Sequence, residues 1–164
     1  MKRPESSVVR LAVAALAALA VVFGLASPSA GGAEGPSRFE KTIPIPRTGE
    51  ARLGWSSGGC SVRSLELRNY PDPDDVRKAR EKEHDDKSWI WWDFHVENRS
   101  PNKCKISLFV DVYDRSGNVV KSSDKSDTVD EHKMDDNIRV STRMRTIDIA
   151  DSPHARIRAE IVSK

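Results

Sequence analysis

Asp93, His95 and Glu97 stand at every second position of "WDFHVEN", and their residue types are those of acid–base and metal chemistry. On an extended strand such residues share one side but lie about 7 Å apart. One small cation needs a further ligand from a neighbouring strand to bridge that gap, so the triplet reads as a polar face in water. His84-Asp85-Asp86, and His132 with Asp130, Asp135 and Asp136, are denser. Oxygen-rich loops suit calcium, but neither stretch has the D-x-[DN]-x-[DN]-G spacing that wraps one ion. Hydrolysis needs a nucleophile with a base in reach, or two carboxylates facing a cleft. No G-x-S-x-G, H-E-x-x-H, P-loop or dinucleotide fingerprint occurs, and the serines have no histidine at a recognisable offset. The residues therefore point to no metal, no cofactor and no enzyme.

Two cysteines, Cys60 and Cys104, carry the remaining covalent chemistry. No C-x-x-C pair or adjacent histidine suggests a metal or redox pair, so a mutual disulfide is expected. It closes a loop of about 45 residues, worth about 4 kcal/mol in the chain-entropy model. That expectation depends on an oxidising compartment. The first thirty residues supply the reason for one: Lys2, Arg3 and Arg10, then an uncharged apolar run from Leu11 to Ala26, then Ser27-Pro28-Ser29-Ala30. This is the tripartite pattern of a cleavable signal peptide over residues 1–30, and the run is shorter than the roughly 20 residues needed to span a bilayer. The expected location is secreted or periplasmic. Three of the 27 basic and one of the 25 acidic residues fall in that leader, which leaves 24 of each sign in the rest of the chain. A balanced chain has no electrostatic call for nucleic acid or an anionic membrane.

The aromatic side chains are the last candidates. "SWIWWDFHVENRS" places Ile90, Trp92, Phe94 and Val96 on one face of a strand and Trp89, Trp91, Asp93, His95 and Glu97 on the other. "CKISLFVDVYD" likewise sets Cys104, Ile106, Leu108, Val110 and Val112 against Lys105, Ser107, Phe109, Asp111 and Tyr113. Joined by "RSPNK", the two strands read as a hairpin. The favoured register pairs Phe94 with Leu108 and Trp92 with Val110, and sets Glu97 opposite Lys105 and Trp89 opposite Tyr113. Trp89, Trp91, Phe109 and Tyr113 then form one outward face for a ligand or partner, either another protein or a glycan. The favoured alternative is that residues 39–55 cross this face and cover it with Phe39, Ile43, Ile45 and Trp55.

These side chains need a scaffold, and the alternation supplies one. Residues 31–37 read as a flexible linker, and residues 38–164 as a single domain. Pro44 and Pro46 forbid a central strand in the first segment and leave an edge strand or an extended wrap. "SVRSLELRNY" is a strand, and "PDPDDVRKAREKEHDDK" is a charged excursion, helical over Val76 to Glu83 or disordered, with no face to bury. "DRSGNVV" is a tight turn into a strand starting at Val119, Ser122 to Asp136 is a polar loop, and "NIRVSTRMRTIDI" and "ARIRAEIV" are the last two strands. Six or seven short alternating strands define an all-β, immunoglobulin-like antiparallel β-sandwich with a short charged insert.

The stretch "WDFHVENRSPNKCKISLFVDVYDRSGNVVKSS" resembles the core of FxLYD-like, immunoglobulin-like domains of secreted bacterial proteins. The matching positions are Val96 and Asn98, then Val112, Tyr113 and Asp114, then Gly117. The likeness covers about thirty residues. The Pro-Gly usual before the later strand is replaced by "EHKMDDN", and the charged insert is foreign to the pattern. The resemblance implies an envelope or extracellular location and no catalysis.

Overall fold

The computed structural model describes residues 35–45, 49–81 and 86–163. The expected signal peptide and the start of the linker lie outside them. Eight strands and two short helices follow in the order β1 (Ser37–Pro44), β2 (Glu50–Ser57), β3 (Cys60–Arg68), α1 (Pro73–Glu81), β4 (Lys87–Asn98), β5 (Cys104–Tyr113), β6 (Val119–Val129), β7 (Asp136–Arg145), α2 (Thr146–Asp151) and β8 (His154–Ser163). They form two four-stranded antiparallel sheets, ordered β1-β8-β5-β6 and β2-β3-β4-β7. This is the all-β sandwich class that the alternation implies.

The period-two faces meet as a core. Ile90, Trp92, Phe94 and Val96 of β4 are buried, as are Ile106, Leu108, Val110 and Val112 of β5. Trp92 is fully buried, and its indole N–H donates to the Thr142 hydroxyl at 3.0 Å. A buried indole needs such a partner. Ile138, Val140 and Met144 of β7 and Ile157, Ala159 and Ile161 of β8 complete the layer.

The hairpin expectation is overturned. β4 pairs with β3 and β7, whereas β5 pairs with β6 and β8, so the two best-patterned strands face each other across the core instead of lying side by side. Alternation demands that two apolar faces meet, and a facing strand satisfies this as well as a neighbouring one. The segment after β4 is steered across the sandwich end by the Arg99 amide, which donates to the Gly59 carbonyl at 2.8 Å. There the Cys60–Cys104 disulfide joins β3 to β5, hence one sheet to the other.

Residues 39–55 do not form a cover. β1 and β2 are the edge strands of opposite sheets, and Pro44 ends β1 as an edge allows. Ile43 and Trp55 are buried in the core itself, and Phe39 stacks on Trp55 at 5.8 Å.

Three further expectations change. Residues Ser122 to Val129, expected as loop, belong to β6, an edge strand whose side chains are exposed apart from the half-buried Ser123 and the buried Val129. Its order comes from main-chain pairing with β5, and that leaves no hydrophobic period to read. The run through Ile149 does not stay extended. β7 stops at Arg145, and α2 buries Ile149 fully. The charged insert is helical, but from Pro73 to Glu81, with the Asp72 carboxylate accepting from the Asp75 amide at 2.7 Å as an N-cap. It does bury one residue, Ala79, and the Arg80 guanidinium reaches Asp151 at the end of α2 at 2.8 Å.

Candidate functional site

Because β4 and β5 lie in different sheets, Trp89 and Trp91 stand on one outer face of the sandwich, and Phe109 and Tyr113 on the opposite one. The single aromatic face expected from the sequence is two faces. Each follows the same pattern: a carboxylate on a central strand, arginines across from it, and those arginines laid over aromatic rings.

On the β3-β4-β7 side, the register sets Asp93 opposite Arg139 and Trp89 opposite Arg143. Arg139 grips Asp93 with both arms, at 2.6 and 3.0 Å, and Arg68 adds an ion pair at 3.2 Å. Asp93 is only 4% exposed, so the solvated polar face anticipated around His95 is instead a roofed one. Glu97, also buried, pairs with Arg63 at 3.4 Å and Arg99 at 2.8 Å. Two-pronged guanidinium–carboxylate contacts at low exposure are the strong kind. Arg139 lies 4.6 Å over the Trp91 ring, and Arg143 lies 5.8 Å over Trp89. Trp89 nonetheless keeps 46% of its surface exposed. Arg143 has no carboxylate partner among the described residues, whereas Arg139 has one.

On the opposite side, Asp111 faces Arg156 and Phe109 faces Arg158. Asp111 accepts from Arg158 at 2.9 Å, from Arg156 at 3.3 Å and from the Ser122 hydroxyl at 2.7 Å. Arg156 covers the Tyr113 ring at 5.4 Å, and Arg158 covers Phe109 at 5.3 Å. Tyr113 also stacks on His154 at 5.2 Å. Burial by itself pushes the Asp111 carboxyl up. The Ser122 hydroxyl and the Arg158 and Arg156 guanidinium groups outweigh it and hold the group below the ordinary carboxylate range.

A carboxylate held down in this way contributes stability above its unfolded pKa of about 3.9, and that contribution is lost as pH falls through the lower folded value. Asp111→Asn is therefore expected to lose about 1–2 kcal/mol at neutral pH, a range kept low because both arginine partners are more than a third exposed. The gap to the wild type should shrink as pH drops below about 4. Urea unfolding at both pH values checks this. A gap that widens in acid contradicts it.

These carboxylates are poorly suited to acid–base or nucleophilic work, because their lone pairs are committed to guanidinium groups. Among the described residues no three acidic, histidine or cysteine side chains gather within reach of one metal ion. His84 and Asp85 lie outside the described residues. Asp130 pairs with Lys103 at 2.7 Å. The arginines of β7 and β8 are what sequence reasoning missed. Arg139, Arg143, Arg156 and Arg158 all alternate outward, but their partners could be assigned only once the strand neighbours were known.

No family model and no curated protein matches the chain. Among solved structures it is similar to the enzymatically active domain of bacteriophage CBA120 tailspike protein 4, at 6% identity and a TM-score of 0.24. The match covers 77% of this chain, which spans only 17% of that protein's length. A likeness that slight has no bearing on fold or function. The class of molecule defined by this fold is a disulfide-linked antiparallel β-sandwich with two arginine-roofed outer faces. The disulfide is compatible with an oxidising compartment.

Proposed function

We propose that this chain is an exported, non-enzymatic binding module of the cell envelope or extracellular space, and that it engages another protein through the outer face of β4 and β7 around Trp89. The observation that carries this reading is Trp89 itself: a tryptophan 46% exposed near the start of β4, beyond the last residue paired with β3 and beside an arginine of β7 with no carboxylate partner among the described residues. Tryptophan and arginine are the residues most enriched among those that dominate binding energy at protein interfaces. A partner presenting a carboxylate next to an apolar side chain would pair with Arg143 while covering Trp89. The basic, apolar, small-residue leader pattern supports export, as does the resemblance to FxLYD-like, immunoglobulin-like domains.

The glycan alternative fits less well. A sugar platform needs open ring faces, and Trp91, Phe109 and Tyr113 each have a guanidinium within 5.4 Å of the ring centre.

The test uses affinity capture from the native envelope with three baits: wild type, Trp89→Ala, and Lys105→Ala on the opposite sheet. The expected result is a partner retained by wild type and Lys105→Ala, with affinity for Trp89→Ala reduced about tenfold or more once the partner is purified. Thermal melting should show all three baits folded, because residues 89 and 105 are both exposed. An unchanged partner set with Trp89→Ala refutes the surface. Binding on a glycan array that disappears with Trp89→Ala transfers the same residue to sugar recognition.

A further inference from the structure

A groove of about 520 Å³ opens where the segment after β3, helix α1, helix α2 and the β5–β6 turn come together. Its size falls within the range of small-molecule sites. Tyr70, Pro71, Val76 and Ala150 supply apolar wall, and Pro71 is buried. The Tyr70 hydroxyl donates to the Ile149 carbonyl at 3.3 Å, so that ring is tied to α2.

The groove wall carries two arginines and two aspartates, but they are unevenly paired. Arg80 of α1 and Arg115 of the β5–β6 turn both approach the same oxygen of Asp151, at 2.8 and 3.7 Å. One carboxylate thus serves two guanidinium groups, and the longer contact belongs to a side chain 79% exposed. The other acid on the wall, Asp72, is turned to the start of α1, where it accepts from the Asp75 amide at 2.7 Å. Arg115 is also well placed to wait for a ligand. Its backbone is fixed by the Asp114 carboxylate, which accepts from the Ser116 amide at 2.8 Å and the Asn118 amide at 2.9 Å, and Gly117 takes φ 83° to close the turn.

We propose that this groove binds a small amphiphile with an apolar body and a single carboxylate, the body against Tyr70, Val76 and Ala150 and the carboxylate between Arg115 and Arg80. The surplus positive charge of the Arg80–Asp151–Arg115 group is the complement of a monoanion. Asp151 then acts as an internal competitor, holding the two arginines until the ligand's carboxylate takes them over. This site goes beyond the protein-binding face and does not depend on it.

Octanoate and the uncharged 1-octanol are the probes, titrated into isotope-labelled protein and followed by amide chemical shifts. Saturable shifts are expected at Tyr70, Val76, Arg115 and Ala150 with octanoate, with a dissociation constant on the order of 1 mM. 1-Octanol should bind about tenfold more weakly, the worth of one charge-assisted contact. Arg115→Ala should weaken octanoate by about fivefold to tenfold and leave 1-octanol unchanged, whereas Asp151→Asn should strengthen octanoate by removing the competitor. Spectra of both variants otherwise matching the wild type establish that they are folded. No saturable shift up to roughly 10 mM overturns the proposal. So do equal affinities for the acid and the alcohol, or shifts that centre on Trp89 instead of the groove.

Discussion

Reduction of the Cys60–Cys104 disulfide is expected to lower the unfolding free energy by about 4 kcal/mol, a large part of what a domain of this size has in total. The bridge spans 44 residues of sequence, so breaking it lets a long loop open in the unfolded chain. In the chain-entropy picture most of the effect arises there. Both cysteines are fully buried and stand in opposite sheets, Cys60 on β3 and Cys104 on β5. No reactive thiol should therefore be detected until the protein is both unfolded and reduced. Urea unfolding of wild type with and without reductant makes the measurement. The Cys60→Ala/Cys104→Ala double variant should lose at least as much, since it also removes two buried sulfurs from the core. A loss under about 1 kcal/mol on reduction would mean that the sheets are held together without the covalent link.

What the sequence discloses about this fold follows from what alternation encodes. Odd and even positions from 90 to 96 and from 104 to 112 separate buried from outward side chains, and every inward assignment on β4 and β5 agrees with the observed burial. Alternation is silent on which strand lies beside which. The chain turns after Asn98 through hydrogen bonds to residues far along the sequence, among them Gly59 and Lys133, and nothing within "RSPNK" distinguishes a hairpin from a crossover. The expected aromatic face divides for this reason: Trp89 and Trp91 point outward, as do Phe109 and Tyr113, but on two different sheets. The same gap concealed the ion pairs. Asp93 and Arg139 are 46 positions apart and Asp111 and Arg158 are 47 apart, and only strand order makes them neighbours. The strand β6 was illegible for a different reason, because an edge strand with both faces wet leaves no apolar signal. The groove beside α1 was equally hidden, being assembled from three stretches far apart in sequence.

Asn98→Asp is expected to be among the most damaging single substitutions in the chain, losing about 3–5 kcal/mol at neutral pH although it exchanges an amide for a carboxylate of nearly the same shape. Asn98 is fully buried at the sandwich end near the disulfide, where Cys60 is its register partner. Its side-chain N–H groups donate to the carbonyls of Asn102 at 2.7 Å, Asp130 at 3.1 Å and Val129 at 3.3 Å. Its side-chain oxygen accepts from the Ser100 amide at 3.0 Å and the Ser100 hydroxyl at 2.7 Å. One side chain therefore holds both the β4–β5 crossover and the β6–β7 turn, and its own backbone amide donates to Lys133 at 2.7 Å. The aspartate keeps the acceptor role, but turns a buried negative charge toward three carbonyl oxygens. Asn98→Ala loses the same hydrogen bonds without the charge, so it should be less harmful at pH 7 by about 1–2 kcal/mol. The pH dependence separates the two variants. Burial without a compensating cation raises the folded pKa of the introduced carboxyl above its unfolded value of about 3.9. The N98D variant should thus be most stable below that unfolded value, where the group is neutral in both states, and should lose stability as pH rises toward the higher folded value. The N98A variant has no such dependence at this position. Urea unfolding of both variants at pH 3.5 and 7 should bring their stabilities together in acid and drive them apart at neutrality. If N98D matches wild type at pH 7, or gains stability relative to N98A as pH rises, the Asn98 amide is not what fastens the two loops to the end of the sandwich.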